Sequence, residues 1–139
     1  MFGEVLYKSD YLLITYDKDG NFVYAKWLPK VIDLDEEEFK KEISHFLEAI
    51  DKTGYKKIII DALQGIFPMT QTLNQWIMEN ITEGFLQRGV KKVAYLYPAD
   101  YISKLGLEMF ISQASMKTMS EIQRKFFSDI DQAVEWIKA

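Results

Sequence analysis

Cysteine is absent from these 139 residues, and histidine occurs once, at position 45. The first absence removes disulfides, zinc–thiolate sites and thiol chemistry, and the second removes any histidine-rich metal centre. No apolar run approaches the roughly 20 residues that a membrane-spanning helix needs. The start, Met1-Phe2-Gly3-Glu4-Val5, lacks the basic opening and long apolar core of a secretory signal, so a cytoplasmic setting is expected. Cations are outnumbered as well: 17 Lys and Arg face 21 Asp and Glu, for a formal charge of -4. The lysine pairs are scattered along the chain, which argues against binding to a phosphate backbone. Nothing matches a glycine-rich dinucleotide turn or a Walker lysine loop, so no cofactor is expected.

What remains is the composition of a folded globular chain, 48% hydrophobic and 27% charged, of a length suited to one domain covering residues 1–139. Two short stretches nearly repeat each other, Gly54-Tyr55-Lys56-Lys57-Ile58 and Gly89-Val90-Lys91-Lys92-Val93. In each, a glycine suited to a left-handed helix end is followed by lysines that favour the negative end of the preceding helix dipole, and then by an apolar run. The pair marks a helix-to-strand junction used twice, and therefore a β-α-β unit with parallel strands.

The first third reads as a β-meander: a short strand at 5–7, then strands at 11–16 and 22–27 around the turn residues Asp17-Lys18-Asp19-Gly20-Asn21. From Asp35 to Lys52, Phe39, Ile43, Phe46, Leu47 and Ile50 share a helical face. Asp35 to Glu38 sit in its first turn, where the dipole favours anions. His45 falls on the flank of the apolar stripe, as an exposed residue rather than a base or ligand. Residues 57–61 form a continuously apolar strand for the sheet centre. A loop at 62–69 leads to a helix burying Leu73, Trp76, Ile77, Ile81 and Phe85, with Gly84 a weak point inside it. A strand at 93–97, a helix over 100–113 and a polar connection with Met116 and Met119 as packing residues follow. A strand at 121–127 and a final helix opened by Ser128-Asp129 end the chain. The expected fold is α/β with a mixed sheet, in the order βββαβαβαβα, with most helices on one face.

Ligands of open α/β sheets bind beyond the carboxyl ends of parallel strands, which singles out Asp61 and its loop. Asp61 is read as organising that loop through its carboxylate, with catalysis as the competing role. The neighbours of Asp61 that can be placed from sequence are Gln64, Thr70, Gln71 and Tyr97. Tyr7, Tyr16, Tyr24 and Trp27 crowd the first strands, where an uncovered sheet face would serve self-association, so a homodimer is one expected assembly.

The Tyr11-to-Trp27 hairpin, Ile58-Ile59-Ile60-Asp61, Trp76, Gly89 to Ala94, and Phe127-Ser128-Asp129 with Ala133, Trp136 and Ile137 resemble the bacterial SpoIIAA-like proteins. That group is related in fold to the STAS domains of anti-sigma-factor antagonists and to the CRAL-TRIO lipid-transfer domain. The resemblance covers nearly the whole chain and implies a right-handed β-α superhelix. In STAS antagonists a strand ends in Asp, matched here by Asp61, and a phosphorylatable serine follows an Asp-Ser-Ser-Gly-type sequence. The corresponding segment is Met69-Thr70-Gln71-Thr72; the acid and the glycine are missing, so the phosphoserine switch is not expected. The resulting expectation is a non-enzymatic regulatory or protein-interaction module with an unidentified protein partner, acting through Asp61, Gln64, Thr70 and Gln71. The alternative is a carrier of a small apolar ligand held between sheet and helices near Trp76 and Phe110. An enzyme built on Asp61 is a third reading, which would require a second titratable group within hydrogen-bond reach of it.

Overall fold

The computed structural model describes residues 3–68, 70–101 and 122–139. Six strands form one mixed sheet in sequential order: β1 (Val5–Lys8), β2 (Leu12–Asp17), β3 (Phe22–Trp27), β4 (Lys57–Asp61), β5 (Lys92–Leu96) and β6 (Gln123–Phe127). The first two pairings are antiparallel and the other three parallel. Helix α1 (Glu36–Thr53) links β3 to β4, α2 (Gln71–Gln87) links β4 to β5, and α3 (Ile130–Lys138) follows β6. A short 3-10 helix at Pro29–Asp33 precedes α1. The helix predicted over 100–113 lies outside the described residues beyond its first two, as do Phe110, Met116 and Met119.

Local chemistry fixes the element ends. Asp35 closes a capping box on α1: its side chain accepts from the Glu38 N–H at 2.8 Å while the Glu38 side chain accepts from the Asp35 N–H at 3.1 Å. At the other end Gly54 adopts φ 69°, and its N–H returns to the Ile50 carbonyl at 2.9 Å. Gly89 repeats the left-handed conformation after α2 at φ 69°. Two of the junction lysines act otherwise than expected. Lys56 donates to the Arg88 carbonyl at 2.8 Å, and Lys92 to the Trp136 carbonyl at 3.1 Å. Each neutralises the end of a helix that follows it in the chain rather than the one before it.

Strands laid down in order with same-handed crossovers carry their connecting helices on the same face. The alternation of side chains shows this. Ile58 packs with Leu12, Ile14, Val23, Ala25, Val93 and the inner faces of α1 and α2. Ile59, one residue on, packs with Phe22, Tyr24, Ala94 and Leu96 against Ala133 and Ile137 of α3. Both faces of the sheet centre are therefore covered, which is why Ile58, Ile59 and Ile60 run together in β4.

The same alternation corrects the expected aromatic face. Trp27 lies on the α1 side, stacked on Phe39 at 5.1 Å. Tyr24, three residues earlier on the same strand, lies on the other side at 2% exposure with α3 in its cluster. Tyr7 turns toward α1, where its hydroxyl reaches Glu42. These aromatics do not share an open face, because positions an odd number of residues apart in a strand point opposite ways and the final helix covers Tyr24 itself.

Candidate functional site

The carboxyl ends of β3, β4 and β5 meet at the segment 62–70. The Ala62 N–H continues the ladder to the Leu96 carbonyl at 2.8 Å. Gly65 presses on the end of β3 so closely that a Cβ there would run into the Leu28 carbonyl. Phe67 stacks on Phe39 at 4.4 Å and 18°, adding a third ring to the pair that Phe39 makes with Trp27. The loop is thus tied at three points to both strands and α1.

Asp61 organises this segment from below. One carboxylate oxygen accepts the Leu63 N–H at 2.9 Å, a turn made by an aspartate with the backbone two residues on. The other accepts from the Tyr24 hydroxyl. Burial, and after it the hydrogen bond and charge of Asp61, push the Tyr24 phenol far above its ordinary pKa. Tyr24 is the titratable neighbour that a catalytic reading of Asp61 requires. The pair nevertheless lies at 2% and 4% exposure, with α3 packed on the same face. Asp61 is consequently not a surface residue; of the four sequence candidates it alone is buried.

Gln64, Thr70 and Gln71 are exposed. Thr70 caps α2, its side-chain oxygen accepting from the Leu73 N–H at 3.1 Å. The same hydroxyl donates to Glu36 Oε1 at 3.2 Å, joining the start of α2 to the acidic start of α1. Trp76, the candidate pocket residue, is half-buried on α2 and carries the Lys40 ammonium 5.2 Å from its ring. Phe110, the other candidate pocket residue, lies outside the described residues.

Two polar clusters were missed by the sequence reading. Glu42, 7% exposed, accepts from the Tyr7 hydroxyl at 2.6 Å and the Ser9 hydroxyl at 2.8 Å. Burial and the Glu42 carboxylate raise Tyr7 to about 12, and His45 stacks on its ring at 4.7 Å. The signal was present: Glu42 falls between Phe39, Ile43 and Phe46, where a helical face should be apolar. The second cluster centres on Arg124 of β6, which donates to the Tyr95 hydroxyl at 3.3 Å and to the Thr82 hydroxyl at 3.5 Å. Period-two spacing from Ile122 and Phe126 already puts it on a buried face.

Among the described residues no group of three or more histidine, cysteine or acidic side chains is placed to hold a metal, and no helix is long and apolar enough to cross a membrane. No family model, curated protein or solved structure matches this chain.

Proposed function

We propose that this chain is a non-enzymatic regulatory or protein-interaction module of SpoIIAA-like kind, binding its partner through Gln64, Thr70 and Gln71, with Asp61 as the buried support of that surface. The observation that carries the reading is the contrast within residues 61–71. The backbone is held by Ala62, Gly65 and Phe67 and by the Asp61 carboxylate, while Gln64, Thr70 and Gln71 stay in solvent. A tied loop with exposed amide and hydroxyl groups offers directional hydrogen bonds at low ordering cost, which suits recognition of a protein surface. The bond from Thr70 to Glu36 adds the acidic start of α1 to the same rim and favours a partner with basic groups. A cytoplasmic setting belongs to the same proposal.

The test is capture of partners from the native host's extract by the immobilised chain, run beside the folded double variant Gln64→Arg, Gln71→Arg. One protein recovered in stoichiometric amount by the parent and lost in the variant is the expected result. Recovery of that protein equally well by both chains, or of nothing above the bare support, would reject this surface as the site.

A further inference from the structure

Arg124 stands on β6 with its side chain on the α2 side of the sheet, beside Tyr95 of β5 and Thr82 of α2. Its Nε is buried and has no hydrogen-bond partner, and no ion pair to it is found among the described residues. Both of its contacts go to neutral hydroxyls, at 3.3 and 3.5 Å, longer than the usual N–H···O range of about 2.7–3.2 Å. Arg124 is half-buried, and with its Nε–H orphaned and no counter-charge among the described residues the guanidinium is under-satisfied. Thr82 is 8% exposed, and Tyr95, like Arg124, is half-buried.

The hydroxyls sharpen the point. Each lends a lone pair to Arg124, and neither donates its own proton to an acceptor among the described residues. Burial raises the Tyr95 phenol, more than Arg124 lowers it, so that proton is retained at neutral pH. The orphaned Nε–H and two hydroxyl protons thus gather at one place with no acceptor among the described residues. Phe126 and Tyr97 wall the cluster, with ring centres 5.6 Å from Tyr95 to Phe126 and 6.0 Å from Phe126 to Tyr97.

We propose that Arg124, Tyr95 and Thr82 form a binding site for a small oxyanion, a carboxylate or a phosphate, whose oxygens take the guanidinium Nη protons and the two hydroxyl protons. The match is one of donor count and charge: an oxyanion is acceptor-only, and charge-assisted bonds of this kind are stronger than the two long contacts now made. The site is independent of the Gln64 to Gln71 surface.

The experiment follows the arginine side-chain resonances of the whole isotope-labelled chain during titration with inorganic phosphate, acetate and, at matched ionic strength, chloride. The expected result is a saturable shift of the Arg124 Nε signal with at least one oxyanion and none with chloride. Saturation with phosphate alone identifies a phosphate site, and with acetate alone a carboxylate site. Tyr95→Phe and Thr82→Ala should each weaken binding about tenfold, the scale for one hydrogen bond to a charged group. Arg124→Gln, if it folds, should abolish the response. The parent titration decides the matter without any variant: if phosphate and acetate move Arg124 no more than chloride does, the proposal is wrong.

Discussion

The two faces of the sheet are built on different plans. Under α1 and α2 lies a wide core running from Leu12 and Ile14 through Val23, Ile58 and Val93, closed by Phe39, Phe46, Leu73 and Phe85. Under α3 lies a narrow one, Phe22, Tyr24, Ile59, Ala94 and Leu96 against Ala133 and Ile137. Among the described residues each face holds one buried carboxylate bonded by a tyrosine, and their positions differ. On the wide face Glu42 meets Tyr7 at the edge strand β1, where the bond docks that outermost strand onto α1. On the narrow face Asp61 meets Tyr24 between two central strands, where the bond fixes the loop that leads to α2. The difference teaches where polar bonding is useful: apolar area holds the middle of the wide face and leaves the pair to its rim, whereas beneath one helix the pair occupies the centre and sets the loop's geometry.

The sharpest way to break this comparison is to remove core volume from each face in turn. Phe85 is fully buried on α2 and meets the Phe46 ring edge-on at 6.0 Å and 85°. Phe85→Ala is expected to cost about 3–5 kcal/mol, because neither helix closes freely over the void. Ile137 is also fully buried, on α3. Ile137→Ala is expected toward the low end of about 2–5 kcal/mol, since a nine-residue helix at one side of the sheet can shift to fill the gap. Urea unfolding of both variants measures the order. A narrow-face cost equal to or above the wide-face one would show that α3 is as rigidly placed as α1 and α2.

The next effect is smaller and separates the two tyrosine-held carboxylates. Tyr24→Phe deprives Asp61 of a donor in the sheet interior and is expected to cost about 1–3 kcal/mol; Tyr7→Phe leaves Glu42 with Ser9 at the edge and should cost less. The pair also makes stability pH-dependent. Burial and the neighbouring carboxylates raise both phenols in the folded chain, Tyr7 to about 12 and Tyr24 further. The native state therefore keeps protons that the unfolded chain releases, so the contribution is whole below the ordinary phenol pKa of about 10 and falls as pH rises past it, for Tyr7 through 12. Stability measured in urea from pH 8 to 12 should decline above about 10 in the parent, and decline less steeply in each Phe variant. A slope unchanged by Tyr24→Phe would remove that phenol from the linkage.

Much of this organisation was legible in the sequence because it rests on local periodicity. The run Ile58 to Ile60 announced a strand covered on both faces, and the Gly54 and Gly89 repeat announced two helix ends that the structure places at the same left-handed φ. What stayed hidden depends on partners far away in the chain. Lys56 and Lys92 carry charge suited to a helix end, but which helix is settled only when β4, β5 and α3 lie side by side. Asp61 was identified as a loop organiser, and its bond to Leu63, two residues on, is local. Its partner Tyr24, separated by 37 positions, emerges only from the parallel pairing of β3 with β4. The grouping of Tyr24 with Trp27 failed for a plainer reason: three positions apart on one strand, they point to opposite faces.

The smallest expected effect lies where α1 and α2 begin. Thr70 caps α2 and donates to Glu36, while Asp35 caps α1 within a reciprocal box of two bonds. Thr70→Ala removes one cap bond and one exposed contact to a carboxylate, for about 1 kcal/mol. Asp35→Ala removes a charged cap and its box and should cost somewhat more, because an anion at that end also interacts with the helix dipole. The same geometry bears on modification. A phosphate on Thr70 would exchange a donor for added negative charge beside Glu36, in a first turn that also holds Glu37 and Glu38. Its attraction to the start of α2 would be opposed by that repulsion. Intact mass of the chain from its own host should therefore show no phosphate at Thr70. A stoichiometric phosphate mapped there would overturn the expectation and require the start of α1 to move away from α2.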